Sequence, residues 1–161
     1  YVVMCENLSI SGINTAGIPD HIMKTLIIDI KFNKKYFKRV IHHEVFHMIN
    51  DNFKDLFNED IWIKFNKKNF KYAECSTCSK KLNLDTYKNT NGFFTEYSKT
   101  TPSEDMAETY SHIMTLSPQK LKEIGESDYT LERKILFIKI RLLKIYKDFS
   151  FPGEMKVKSN I

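Results

Sequence analysis

Phe37, Ile41, Val45 and Met48 recur at steps of four, four and three residues, which predicts one helix over roughly Lys35 to Asn50. Three of the chain's five histidines, His42, His43 and His47, fall inside it. Residues four apart on a helix stack on one face, so the His43 and His47 imidazoles point the same way. His42 lies about 100° around the helix from His43 and points elsewhere. Just upstream, Thr25 to Phe32 (TLIIDIKF) alternates and is rich in β-branched residues, so it reads as a strand. The fold must therefore place a strand, then a helix that turns two imidazoles toward a common point.

The remainder of the chain is read around that unit. With 161 residues it suits one domain, since domains usually run to about 100–200 residues. It holds 12 Phe and 8 Tyr and is 42% hydrophobic, enough for a sizeable core and too apolar for disorder. Tyr1-Val2-Val3-Met4 reads as a further strand, and a start at Tyr1 suggests a domain from a longer or processed chain. The longest wholly apolar runs are a few residues, so no membrane span is expected. The net charge of +5 comes from scattered lysines and gives no reason to expect nucleic acid. Asp51 to Tyr97 reads as long connections pinned by aromatic rings, with a turn at Asn91-Gly92.

A second helix is predicted from Pro102 to about Leu116, with Thr101 as its cap. Ser117-Pro118 opens a short third helix that Gly125 closes. The last helix, about Tyr129 to Asp148, has an apolar stripe of Leu131, Ile135, Ile138, Leu142, Ile145 and Phe149. Arg133, Lys134, Arg141, Lys144 and Lys147 are expected on its solvated side. Cys75 and Cys78 have no second pair; with Cys5 they read first as reduced loop thiols, and a disulfide or a metal site completed by Cys5 or a histidine stays open.

Residues 43–47 spell His-Glu-Val-Phe-His, an H-E-x-x-H. Two imidazoles one turn apart supply half of a tetrahedral zinc site. Glu44, directly after the first, projects beside the metal rather than at it, where it can take a proton from an activated water. A catalytic zinc needs a third protein ligand and an open fourth position. Glu104 and Glu108, four apart on the second helix, are the candidates, one for the metal and the other to hold a ligand imidazole. His112 is a further one. Thr101-x-x-Glu104 is equally a capping box, in which Glu104 would serve only its own helix terminus. Tyr97 offers a phenol donor that could stabilise an oxyanion.

His43-Glu44-x-x-His47 followed by a Glu104-x-x-x-Glu108 helix resembles the gluzincin metallopeptidases, and most closely the anthrax lethal factor-like group, which includes small secreted Pro-Pro endopeptidases. In that group a tyrosine lies seven residues before the glutamate ligand, as Tyr97 stands before Glu104. The stretch from Gly92-Phe93 through Tyr97 to Glu104-Asp105-Met106-Ala107-Glu108 is also similar to a family of zinc-binding metallopeptidases. The likeness runs from about Thr25 to Leu116. It implies Glu104 as third ligand, Glu108 behind a histidine, and Tyr97 at the oxyanion.

The expected fold is α+β, a zincin-like metallopeptidase domain spanning residues 1–161. It combines a small mixed sheet with an active-site helix, a glutamate helix and a long C-terminal helix. The expected function is endopeptidase activity with one Zn2+, held by His43, His47 and Glu104. Glu44 acts as general base on a protein or peptide substrate, and the chain acts as a monomer. The resemblance favours a secreted or translocated protein. The competing expectation is an inactive module of the same fold that binds a partner protein. Substrate is expected to add, as an extended strand, to Thr25–Phe32.

Overall fold

β5, Thr25–Asp29, is the middle of a three-stranded sheet ordered β1-β5-β4, with β1 at Val2–Cys5 and β4 at Gly17–Asp20. The structure is a computed structural model that describes residues 1–78 and 83–153. Residues 79–82, within the stretch read as irregular, and 154–161 lie outside the described residues. β1 runs parallel to β5, pairing Val2 with Leu26, and β4 runs antiparallel, pairing Gly17 with Ile28. The sheet is therefore mixed. Leu26 and Ile28 are buried on one face, as period-two alternation requires. β5 stops at Asp29, whose carboxylate accepts from the Leu8 and Lys31 amides. Between β1 and β4 a short hairpin pairs β2, Ser9–Ile10, with β3, Ile13–Asn14.

β5 is paired on both sides, so it has no free edge for a substrate strand, contrary to the expectation for Thr25–Phe32. The edge beside α1, Phe37–Asn52, belongs to β4. The line of α1 that is fully buried is Val40, His43 and Phe46, whereas Phe37, Ile41, Val45 and Met48 are only partly covered. The helix is rotated from its simple apolar stripe because a second helix packs along the imidazole line. That helix is α3, Pro102–Thr115, and every residue from Asp105 to Ile113 is buried in it. Thr101 caps α3 by accepting from the Glu104 amide.

α4, Pro118–Ser127, is capped by Ser117 and continues two residues past Gly125 rather than ending there. Asp128 then ends α4 and caps α5, Tyr129–Ile145, by accepting from the Leu131 amide. The core gathers Phe46, Phe57, Trp62, Phe94, Met106, Leu131, Ile138 and Leu142 around α3. Several rings of the irregular middle stretch are therefore core rather than surface pins. Trp62 lies on a short helix, α2, Glu59–Ile63.

Two surface expectations are overturned. Lys134 is fully buried, donating to Asp105 Oδ2 at 2.6 Å and to the Gly92 carbonyl at 2.8 Å. Trp62 Nε1 and the Tyr72 hydroxyl donate to the same Asp105 oxygen. Helical position 134 faces α3, so its ammonium is drawn to a carboxylate buried there. Cys75 and Cys78 are joined as a disulfide, their Cα atoms being 5.2 Å apart; Cys5 is free. The turn between them brings the two sulfurs together.

Candidate metal centre

α1 and α3 run antiparallel, and their facing side chains mesh as rungs. His43 Nε2 lies 2.8 Å from Glu104 Oε2 and 3.1 Å from His47 Nε2. His47 Nε2 lies 3.3 Å from the same carboxylate oxygen. Three donor atoms thus converge from two helices, and this triad could hold a metal ion. With zinc–ligand bonds of about 2.0–2.1 Å, neighbouring corners of a tetrahedron are about 3.3 Å apart, so the donor spacing suits that ion. Two imidazoles and one carboxylate are also the donor set of a catalytic zinc site with an open position.

Glu104 was open to two roles in the sequence, and its geometry separates them. Its backbone amide serves the Thr101 cap, whereas its carboxylate is turned to the two histidines. Glu108, one turn on, faces the other side of the same imidazole: His43 Nδ1 lies 3.0 Å from Glu108 Oε1. Nδ1 donates to that carboxylate, which leaves Nε2 directed at the convergence point. Thr95 Oγ1 donates to Glu108 Oε2 at 2.9 Å.

The cluster's electrostatics favour positive charge where the donors meet. Burial pushes the His43 imidazole down, but the Glu104 and Glu108 carboxylates outweigh it and hold its pKa well above the ordinary value. Burial pushes Glu104 up, yet His43 and His47 hold it well below the carboxylate range. Glu108 is likewise driven down, to about 2, chiefly by His43 against its own burial.

Glu44 lines the cleft beside the triad, and burial raises its pKa. It packs directly over β4: a Cβ at Gly17 would stand 2.7 Å from Glu44 Cγ. Tyr97, on a turn of 3-10 helix at Tyr97–Lys99, stands with its ring 5.8 Å from the His43 ring. Burial and the adjacent Glu104 carboxylate, to which its hydroxyl bonds, raise the Tyr97 pKa and keep the phenol protonated. His43, Glu44, His47, Tyr97, Glu104 and Glu108 all line one cleft. The cleft over them is about 820 Å³, with Ile10, Ile13 and Pro19 toward the sheet and Ser76, Thr77 and Leu84 on another part of its wall.

His42 turns away, as its helical angle requires, and sits edge-on to Tyr110. His112 is not one of the converging donors. Its Nδ1 donates to the Glu108 carbonyl at 2.7 Å, and its ring stacks on Phe94. Arg39, Thr95 and Ser103, which abut the cluster, went unnoticed in the sequence, because single polar residues at these positions carry no motif.

Fold and site together define an α+β domain built around an H-E-x-x-H helix and a glutamate helix. The chain belongs to the family described as "Putative zinc-binding metallo-peptidase", which it matches over residues 10–151. No curated protein and no solved structure matches it. Among the described residues, no helix is long and apolar enough to cross a membrane.

Proposed function

We propose that this chain is a zinc-dependent endopeptidase that hydrolyses a peptide bond in the cleft above the triad. The observation that carries the reading is the convergence of His43 Nε2, His47 Nε2 and Glu104 Oε2 beneath a cleft that also holds Glu44 and Tyr97. His43, His47 and Glu104 hold the ion, and Glu108 fixes the His43 ring through its Nδ1 proton. When bound, zinc supplies Lewis acidity, worth several kcal/mol where negative charge develops. Glu44 takes the proton of the attacking water and passes it to the departing amide nitrogen; its raised pKa suits both transfers. Tyr97 donates its hydroxyl to the carbonyl oxygen as charge builds there, a role worth a few kcal/mol. The extended substrate lies along β4, the strand edge that faces α1.

Metal analysis and peptide cleavage of wild type and Glu44→Ala test the reading together. About one zinc per chain is expected in both proteins, with cleavage of a denatured casein substrate by wild type alone. Absence of zinc from wild type, or undiminished cleavage by Glu44→Ala, overturns it. Zinc in both proteins with cleavage by neither points to the inactive partner-binding module instead.

A further inference from the structure

Arg39 stands one turn before His43 on α1, and His112 one turn after Glu108 on α3. The two helices therefore continue the ligand rungs with one more pair. Arg39 Nη1 donates to Thr86 Oγ1 at 3.1 Å and approaches His112 Nε2 at 3.1 Å. Because His112 Nδ1 donates to the Glu108 carbonyl, Nε2 is an acceptor, and both the Thr86 hydroxyl at 2.9 Å and the guanidinium at 3.1 Å are placed to donate to it. Arg39 Nη2 donates to the Leu84 carbonyl and lies 3.9 Å from Glu108 Oε2. The side chains of Arg39 and Glu108 are 12% and 3% exposed, so little water screens this charge pair.

The Glu108 carboxylate is engaged on both of its oxygens. Glu108 accepts from His43 Nδ1 on one oxygen and from Thr95 on the other, with the guanidinium on the Thr95 side. Leu84 and Thr86 anchor the guanidinium independently of Glu108, so Arg39 is not free to follow that carboxylate if it swings away. We propose that Arg39 is a positioning residue of the metal centre, acting through Glu108 to hold the His43 ring with Nε2 at the convergence point. The inference rests on the zinc reading above. It also explains an arginine here: a planar fork reaches Leu84, Thr86, His112 and Glu108 at once, whereas a single ammonium cannot.

The test measures zinc affinity by competition with a chromogenic chelator, in wild type, Arg39→Met, Arg39→Lys, Glu108→Gln and the Arg39→Met/Glu108→Gln double variant. Arg39→Met is expected to weaken zinc roughly 10–100-fold, the range seen when a support behind a ligand is removed. Arg39→Lys recovers part of that loss through its charge. In the Glu108→Gln background, Arg39→Met is expected to add less than about threefold, because its route to His43 has gone. Zinc affinity of Arg39→Met within twofold of wild type overturns the proposal, as does an equal effect in both backgrounds. If Arg39→Met does not fold, Arg39→Gln, which also removes the charge, gives the same comparison alone and with Glu108→Gln under the same criteria. A wild type that binds no zinc overturns the function reading itself, an outcome visible before any variant is made.

Discussion

Gly17 shows how a residue without a side chain can set the side chain proposed as the general base. The Glu44 side chain passes so close to β4 that a methyl at position 17 would meet Cγ at 2.7 Å and Oε1 at 3.2 Å. Cγ sits in the middle of the side chain, so relief requires Glu44 to change rotamer rather than only tilt its tip. Overpacking of this kind costs about 1–3 kcal/mol, and a misplacement near 1 Å can lower a rate about 100-fold. Gly17→Ala is therefore expected to retain zinc while kcat/KM for peptide cleavage falls by about 10–100-fold. Metal content and steady-state kinetics on one preparation check this. Full activity in Gly17→Ala would show that Glu44 works from another rotamer.

At the scale of the element, α3 carries a titration as well as a carboxylate. Burial holds the His112 pKa down, from 6.5 to about 4, and acceptance at Nε2 from Arg39 or Thr86 requires the neutral ring. The unfolded chain takes up a proton near pH 6.5 while the folded protein does not until about pH 4. Stability from this group is thus complete above pH 6.5 and falls as pH drops, by about 1.4 kcal/mol per unit and about 3 kcal/mol in all. Urea unfolding of wild type and His112→Gln at pH 7, 6 and 5 checks this. The advantage of wild type over the variant should shrink with acidification, and a constant difference would count against it. α3 is also where the sequence was most legible. Thr101, Pro102 and Ser117 act locally, so their caps and helix starts could be read from neighbours alone, as could the pairing of imidazoles and carboxylates by helical spacing. The deep line of α1 and the burial of Lys134 depend on which helix packs against which face, and local periodicity does not hold that information. β2, β3 and β4 are two to four residues long, too short for alternation to register.

For the whole molecule, the proposed metal centre would tie its two central helices together. α1 brings the sheet and the imidazoles; α3 brings the core, the Asp105–Lys134 pair and the carboxylates. An ion held by His43, His47 and Glu104 bridges them, and the unfolded chain has no such preformed site. Binding energy therefore becomes folding energy. At free zinc 1,000 times its dissociation constant the gain is about 4 kcal/mol. For a chain of this size each kcal/mol moves Tm by about 2–4 °C, so chelation should lower Tm by about 8–16 °C and added zinc restore it. Glu104→Ala should weaken zinc enough to remove most of that rise, because it takes away the only donor α3 contributes. Glu108→Gln should keep the rise, reached at higher zinc, since it supports the site without touching the ion. Differential scanning fluorimetry over a zinc titration separates the two. A full zinc-induced rise in Glu104→Ala at wild-type zinc levels would mean that the ion does not bridge the helices, and that the carboxylate at position 104 only balances the charge of the histidines beside it.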